Sequence, residues 1–155
     1  MKKIFFPFLG IALAFSFTGK KDLPHHISAS ITAKYPDAKI KRWEMTNDQY
    51  MVKFTTAHDK DISYFSVGGN WLRTEKRLAL TKDLPAAVKS GFENSDYAGW
   101  QIDAINEVTS PDQPVRYVLH VDDGNQLDSW HIDAFKSDYL LYFDREGRLI
   151  QRAND

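Results

Sequence analysis

Lys82-Asp83-Leu84-Pro85 repeats, residue for residue, a tetrapeptide that already stands at Lys21-Asp22-Leu23-Pro24. The residues after each copy are also alike. Ile27, Ile31 and Tyr35 after the first copy answer by position to Val88, Phe92 and, one residue late, Tyr97 after the second. A spacing of four puts such side chains on one stripe of a helix. The proline has a fixed φ and no N–H, which suits a first helical turn. The leucine before it can pack against the helix, and the aspartate lies near the positive end of the helix dipole. The tetrapeptide therefore reads as a helix start, used twice.

Strand material comes after each helix. In the first half Ala38 to Met45, Gln49 to Thr55, Ile62 to Val67 and Trp71 to Arg77 read as short strands. Thr46-Asn47-Asp48, His58-Asp59-Lys60 and Gly68-Gly69-Asn70 are the turns between them. In the second half the strands are Gln101 to Val108, Val115 to Val121, Ser129 to Phe135, Tyr139 to Phe143 and Arg148 to Gln151. The closing hairpins match: Tyr64-Phe65 and Tyr142-Phe143 are each succeeded by a glycine, Gly69 and Gly147, where a tight turn needs positive φ. The fold expected is α+β, two tandem helix-plus-antiparallel-strand repeats with the helices packed on one face of the sheet. The repeats span residues 20–80 and 81–155.

Ahead of them, Met1-Lys2-Lys3 and the apolar run from Ile4 to Phe17 have the layout of a secretory signal peptide, assigned to residues 1–19. The run is too short for a hydrocarbon core that needs roughly 20 residues, so no membrane anchor is expected after cleavage. Without cysteine there is no disulfide, and stability must come from packing. Lys plus Arg number 20 against 21 Asp plus Glu, and no basic stripe is interleaved with aromatics, which disfavours nucleic acid. The expected location is periplasmic or secreted.

The Leu-Pro helix start, the phrase Ala33-Lys34-Tyr35-Pro36-Asp37-Ala38-Lys39-Ile40 and the ending Tyr142-Phe143-Asp144-Arg145-Glu146-Gly147-Arg148-Leu149-Ile150 together resemble the PepSY-like family of small secreted bacterial proteins. That family's fold is similar to the tandem-repeat beta-lactamase inhibitor protein. The resemblance implies protein binding or peptidase inhibition, with no catalytic residues and no cofactor. The second repeat departs from the pattern at Asn94-Ser95-Asp96-Tyr97-Ala98-Gly99, where the Tyr-Pro helix exit is missing.

Chemistry-bearing motifs are few. Adjacent His25 and His26 point about 100° apart on a helix and do not chelate one ion easily. Asp122 to Asp128 is rich in oxygen ligands but lacks the alternating spacing and terminal Glu of a calcium loop; a hairpin turn explains it as well. No nucleophile elbow, zinc-protease motif or P-loop is present. Strand alternation says more. Val115, Tyr117, Leu119, Val121, Tyr139, Leu141 and Phe143 share the parity expected of a core face, with Trp130 and Ile132 from the strand at 129–135. The opposite parity holds Arg116, Val118, His120, Ser129, His131, Asp133 and Tyr142, joined from the first half by Met51, Lys53 and Tyr64. Arg and Tyr bury much area and keep a polar handle, as residues at protein interfaces do. The candidate partner-binding residues on this face are Tyr142, Arg116, His120, His131 and Tyr64, the partner being an unspecified protein or peptide. Ordinary β-propensity explains the same residues without a partner. A small-ligand or metal-binding module, with His120 and His131 on neighbouring strands, is the alternative to a binding or purely structural protein.

Overall fold

The computed structural model describes residues 22–57, 59–79, 81–123 and 138–154. Helix α1 (His25–Lys34) leads into strands β1 (Lys39–Thr46), β2 (Gln49–Thr55), β3 (Lys60–Ser66) and β4 (Trp71–Leu78). A single 3-10 turn, Thr81–Asp83, and helix α2 (Ala86–Glu93) come next. Strands β5 (Gln101–Ser110), β6 (Gln113–Asp122), β7 (Asp138–Phe143) and β8 (Leu149–Asn154) complete the described chain. All eight strands form one antiparallel sheet in chain order, β1 to β8. Two helices with one such sheet make an α+β fold.

Both tetrapeptides start helices, with one adjustment. Pro24 and Pro85 stand at the cap, with φ/ψ of −51/136° and −54/142°, and the first helical residue comes directly after them. That extended ψ suits the cap, and the Pro24 carbonyl accepts the Ile27 and Ser28 N–H groups, both at 3.0 Å. The preceding leucines do pack inward: Leu84 is buried and Leu23 lies against the first core. α1 closes where the Tyr35 N–H reaches the Ile31 carbonyl at 2.7 Å, just before Pro36. α2 lacks a Tyr-Pro exit and closes instead through Asn94, whose backbone N–H and Nδ2 both reach the Ser90 carbonyl.

The core lies in two clusters. Ile27 and Ile31 of α1 meet Val52, Phe54 and Phe65. Val88 and Phe92 of α2 meet Ile105, Tyr117, Leu119, Val121, Leu141 and Phe143. Tyr35 and Tyr97, equated from sequence, each join their own helix's cluster. Between the clusters the residues are polar. Thr74 Oγ1 is a hub for Ser63 Oγ (2.6 Å), Tyr35 OH (2.7 Å) and the Trp71 indole N–H (2.9 Å). One register step further, Asp61 faces Lys76, which faces Glu107.

Asp61 is buried, and among the described residues its Oδ1 has no hydrogen-bond partner. Burial raises its pKa above the ordinary 3.8, Asp59 and Glu107 add to the rise, and Lys76 opposes it. A raised folded-state pKa means the protonated acid is favoured by folding, so the site's contribution to stability falls as pH climbs past 3.8. Asp61→Asn should therefore raise the melting temperature at neutral pH, and the gain should shrink as pH approaches 3.8, as read by thermal unfolding across a pH series. An unchanged gain at every pH would place the carboxylate in water.

The two closing hairpins share their geometry. In one, Ser66 N–H reaches the Asn70 carbonyl (2.8 Å) and Gly69 N–H the Ser66 carbonyl (2.9 Å). In the other, Asp144 N–H reaches the Arg148 carbonyl (3.0 Å) and Gly147 N–H the Asp144 carbonyl (3.1 Å). Register slips fall at Tyr64/Phe65 and at Tyr142/Phe143, and Gly69 and Gly147 have φ of +88° and +82°. Each turn sits on its helix. Gly69 lies under His26 and Ser30, with Ser30 Oγ donating to its carbonyl at 2.8 Å, while Gly147 lies against the Ala87 backbone and Gly91.

One strand expectation needs correction, and another falls on residues that are not described. β5 and β6 run on to a two-residue turn, Pro111-Asp112, beyond the Val108 and Val115 ends read from sequence; Asp112 takes the positive φ of 55° that the turn needs. Residues 129–135, with Trp130, His131, Ile132 and Asp133, lie outside the described residues. Among the described strands, β6 pairs with β5 on one side and β7 on the other.

Candidate functional site

Residues directly opposite in an antiparallel ladder share a face, so the registers define the side of the sheet away from Val52, Phe54, Leu119 and Leu141. Met51, Tyr64 and Arg73 form one row across β2, β3 and β4. Lys53, Ile62, Glu75, Val108 and Arg116 form the next. Arg77, Asn106, Val118, Tyr142 and Gln151 form a third, and Ala104, His120 and Leu140 a fourth.

Four of the five candidate residues thus share the expected face, but not one cluster. Tyr64 on β3 stands four strands from Tyr142 on β7, about 19 Å at the usual strand spacing. Arg116 and Tyr142 are diagonal neighbours across β6 and β7. The Arg116 guanidinium donates to Gln113 Oε1 on its own strand. Val118, expected in the open, is buried between Asn106 and Tyr142. His120 faces Ala104 and Leu140, so its strand neighbours bring no second imidazole to it, and His131 lies outside the described residues. Among the described residues no three His, Asp or Glu side chains are grouped to hold a metal ion.

A guanidinium–ring stack that does form on this face was missed from sequence. Arg73 Cζ sits 3.5 Å from the centre of the Tyr64 ring, with Arg73 Nε donating to Glu75 Oε1 at 2.8 Å and NH1 to Gln49 Oε1 at 3.4 Å. A ring-stacked, ion-paired guanidinium is held in place. Burial, and then the Glu75 carboxylate, push the Tyr64 phenol up, while Arg73 pulls it down; the phenol stays neutral and able to donate. The signal was available: Arg73 shares the parity of Glu75 across a hairpin from Tyr64. Beside the stack a groove of about 510 Å³ opens over the same face, lined by Lys41, Lys53, Lys60, Ile62, Glu75 and Arg77 among others.

The family model described as "Putative beta-lactamase-inhibitor-like, PepSY-like" matches residues 16–68 and again 48–151. The chain belongs to the PepSY-like family. Solved structures that this PepSY-like chain resembles in shape come from Bacteroides. A BLIP-like protein of Bacteroides fragilis is 26% identical, with a TM-score of 0.74 over 88% of this chain and 89% of that one. A DUF2874 family protein of Bacteroides ovatus is 23% identical, with a TM-score of 0.75 over 87% and 89%. A structure from Bacteroides eggerthii described as "putative periplasmic proteins" is 18% identical, with a TM-score of 0.73 over 86% and 90%. Among the curated proteins nothing matches this PepSY-like chain. The family description is inhibitor-like rather than catalytic, and no described helix is long and apolar enough to cross a membrane.

Proposed function

We propose that this chain is an exported, non-catalytic module that binds a protein or peptide through the sheet face bearing Tyr64, Arg73, Arg116, His120 and Tyr142, in the manner of an inhibitor, in the periplasm or outside the cell. The observation that carries the reading is the Tyr64–Arg73 stack: a half-buried ring and an ion-paired guanidinium, pre-set on the side of the sheet turned away from both apolar clusters. Preorganised aromatic and arginine side chains make effective anchors because little side-chain entropy remains to be lost on binding. The inhibitor-like family description and the BLIP-like relative support the same class of activity.

Its architecture is read as two tandem repeats, 20–80 and 81–155, with both helices on one face. The matched hairpins, the equivalent helix contacts of Gly69 and Gly147, and the two stretches matched by one family model support this. The registers support the shared face, since Phe54, Asp61, Lys76, Glu107, Tyr117 and Phe143 fall in one cross-strand row.

The test is capture. The exported protein, immobilised, should retain a defined partner from a periplasmic extract. Tyr64→Ala, and separately Tyr142→Ala combined with Arg116→Ala, should each weaken that complex by about 2 kcal/mol or more, measured by calorimetry, with melting temperatures within a few degrees of the parent. A partner held equally well by all three forms would move the binding surface off this face.

A further inference from the structure

Charge is distributed unevenly in this protein. Lys and Arg number 20 against 21 Asp and Glu. A chain so nearly balanced is expected to spread its cations among its acids. Around the groove it does the reverse. Lys41, Lys53, Lys60 and Arg77 approach it from β1, β2, β3 and β4. Lys41, Lys53 and Lys60 are exposed, and no hydrogen bond or ion pair among the described residues engages them. Arg77 gives one N–H to the Asp103 carbonyl at 3.0 Å and keeps its other donors.

The two acids that line the groove do not offset them. Glu75 is held by Arg73 at 2.8 Å. The Asp61 side chain, by its pairing with Phe54 and Lys76, belongs to the opposite side of the sheet and contributes only backbone to the groove. Ile62 lies between Lys53 and Glu75 in the row that floors the groove. Four cations around an aliphatic floor focus a positive potential on a small apolar surface.

Resting on the open-face reading, we propose that this groove takes an acidic peptide segment of the partner, with an aliphatic side chain seated on Ile62 and flanking carboxylates reaching Lys41, Lys53, Lys60 and Arg77. A volume of about 510 Å³ suits a few residues of chain. Cations spread over four adjacent strands suit carboxylates spread along a segment better than a single small anion.

The probe is a fluorescein-labelled pentapeptide, Glu-Glu-Leu-Glu-Glu, titrated into the exported protein at low salt and followed by anisotropy. Lys-Lys-Leu-Lys-Lys is the control. The acidic peptide should bind, weaken as salt is raised, and lose at least tenfold in affinity with Lys53→Glu combined with Lys60→Glu. The basic peptide should not bind the parent protein. Thermal unfolding should show the double variant folded, since both lysines are exposed; should it unfold, Lys53→Gln with Lys60→Gln gives the same reading through a smaller loss. Binding of the acidic peptide undiminished in the folded variant, or none to the parent protein, overturns the proposal. So does displacement of the peptide by equal concentrations of free glutamate or of decanoate, which would make the groove a small-anion or fatty-acid site. These outcomes separate from those of the wider reading: a captured partner that depends on Tyr142 and Arg116 but ignores Lys53 and Lys60 keeps the open face and removes the groove.

Discussion

Gly91→Ala is expected to be strongly destabilising for so small a change, lowering stability by about 3 kcal/mol or more and the melting temperature by roughly 10 °C. Gly91 faces inward from α2 onto the turn between β7 and β8. A methyl group there would overlap the Gly147 carbonyl oxygen and lie 2.8 Å from its carbon. The obstacle is backbone, and the turn that carries it is fixed by a positive φ of 82° at Gly147 and by Arg148, which donates its N–H (2.8 Å) and its guanidinium (2.6 Å) to Asp144. Neither side can give way cheaply. The equivalent residue in the first half is Ser30, whose hydroxyl bridges to the Gly69 carbonyl at 2.8 Å across a wider gap. Ser30→Ala should cost only about 1 kcal/mol, the net worth of one hydrogen bond. Equal losses at the two positions would show that α2 does not approach its hairpin backbone to backbone.

Phe92→Ala should come next, at about 3 to 5 kcal/mol, with Ile31→Ala slightly less costly. Phe92 is 7% exposed in a cluster with Leu119, Leu141 and Phe143, and Ile31 is fully buried among Val52, Phe54 and Phe65. Urea unfolding followed by circular dichroism measures both. Because the two clusters share one continuous sheet, each substitution should shift a single transition rather than split it. Midpoints that do not move would mean these stripes do not face a core.

Much of this arrangement was legible in the chain. The Leu-Pro pairs marked both helix starts because no other residue combines a fixed φ with a missing donor. The core strands could be sided from alternation alone, and Val115 to Val121 and Tyr139 to Phe143 lie as their parity required. Local signals did not reach further. Nothing in Thr74 or Thr109 announces that they pair and so join the two halves, because ladder hydrogen bonds are made by backbone that every residue has. Arg116 and Tyr142 were placed on the right face, but the bond from Arg116 to Gln113 was not foreseen, since parity fixes a side and leaves rotamers open. The burial of Asp61 was hidden for a related reason: a carboxylate just after a turn reads as solvent-facing, and nothing local announces the neighbours that cover it.

The β4–β5 pairing also bears on how the chain must assemble. Until β5 has been delivered, β4 is an unfinished edge with a row of free amide and carbonyl groups, and α2 with its preceding turn must be threaded before a permanent neighbour arrives. Exposed edges recruit foreign strands, and charged side chains along them discourage it. β4 carries Arg73, Glu75, Lys76 and Arg77 in five consecutive positions, the densest run of charge in any described strand. Arg73, Glu75 and Arg77, which in the finished sheet frame the Tyr64 stack and the groove, and Lys76 on the other side of the strand, are the kind of charged row that discourages such pairing while only the first four strands are in place.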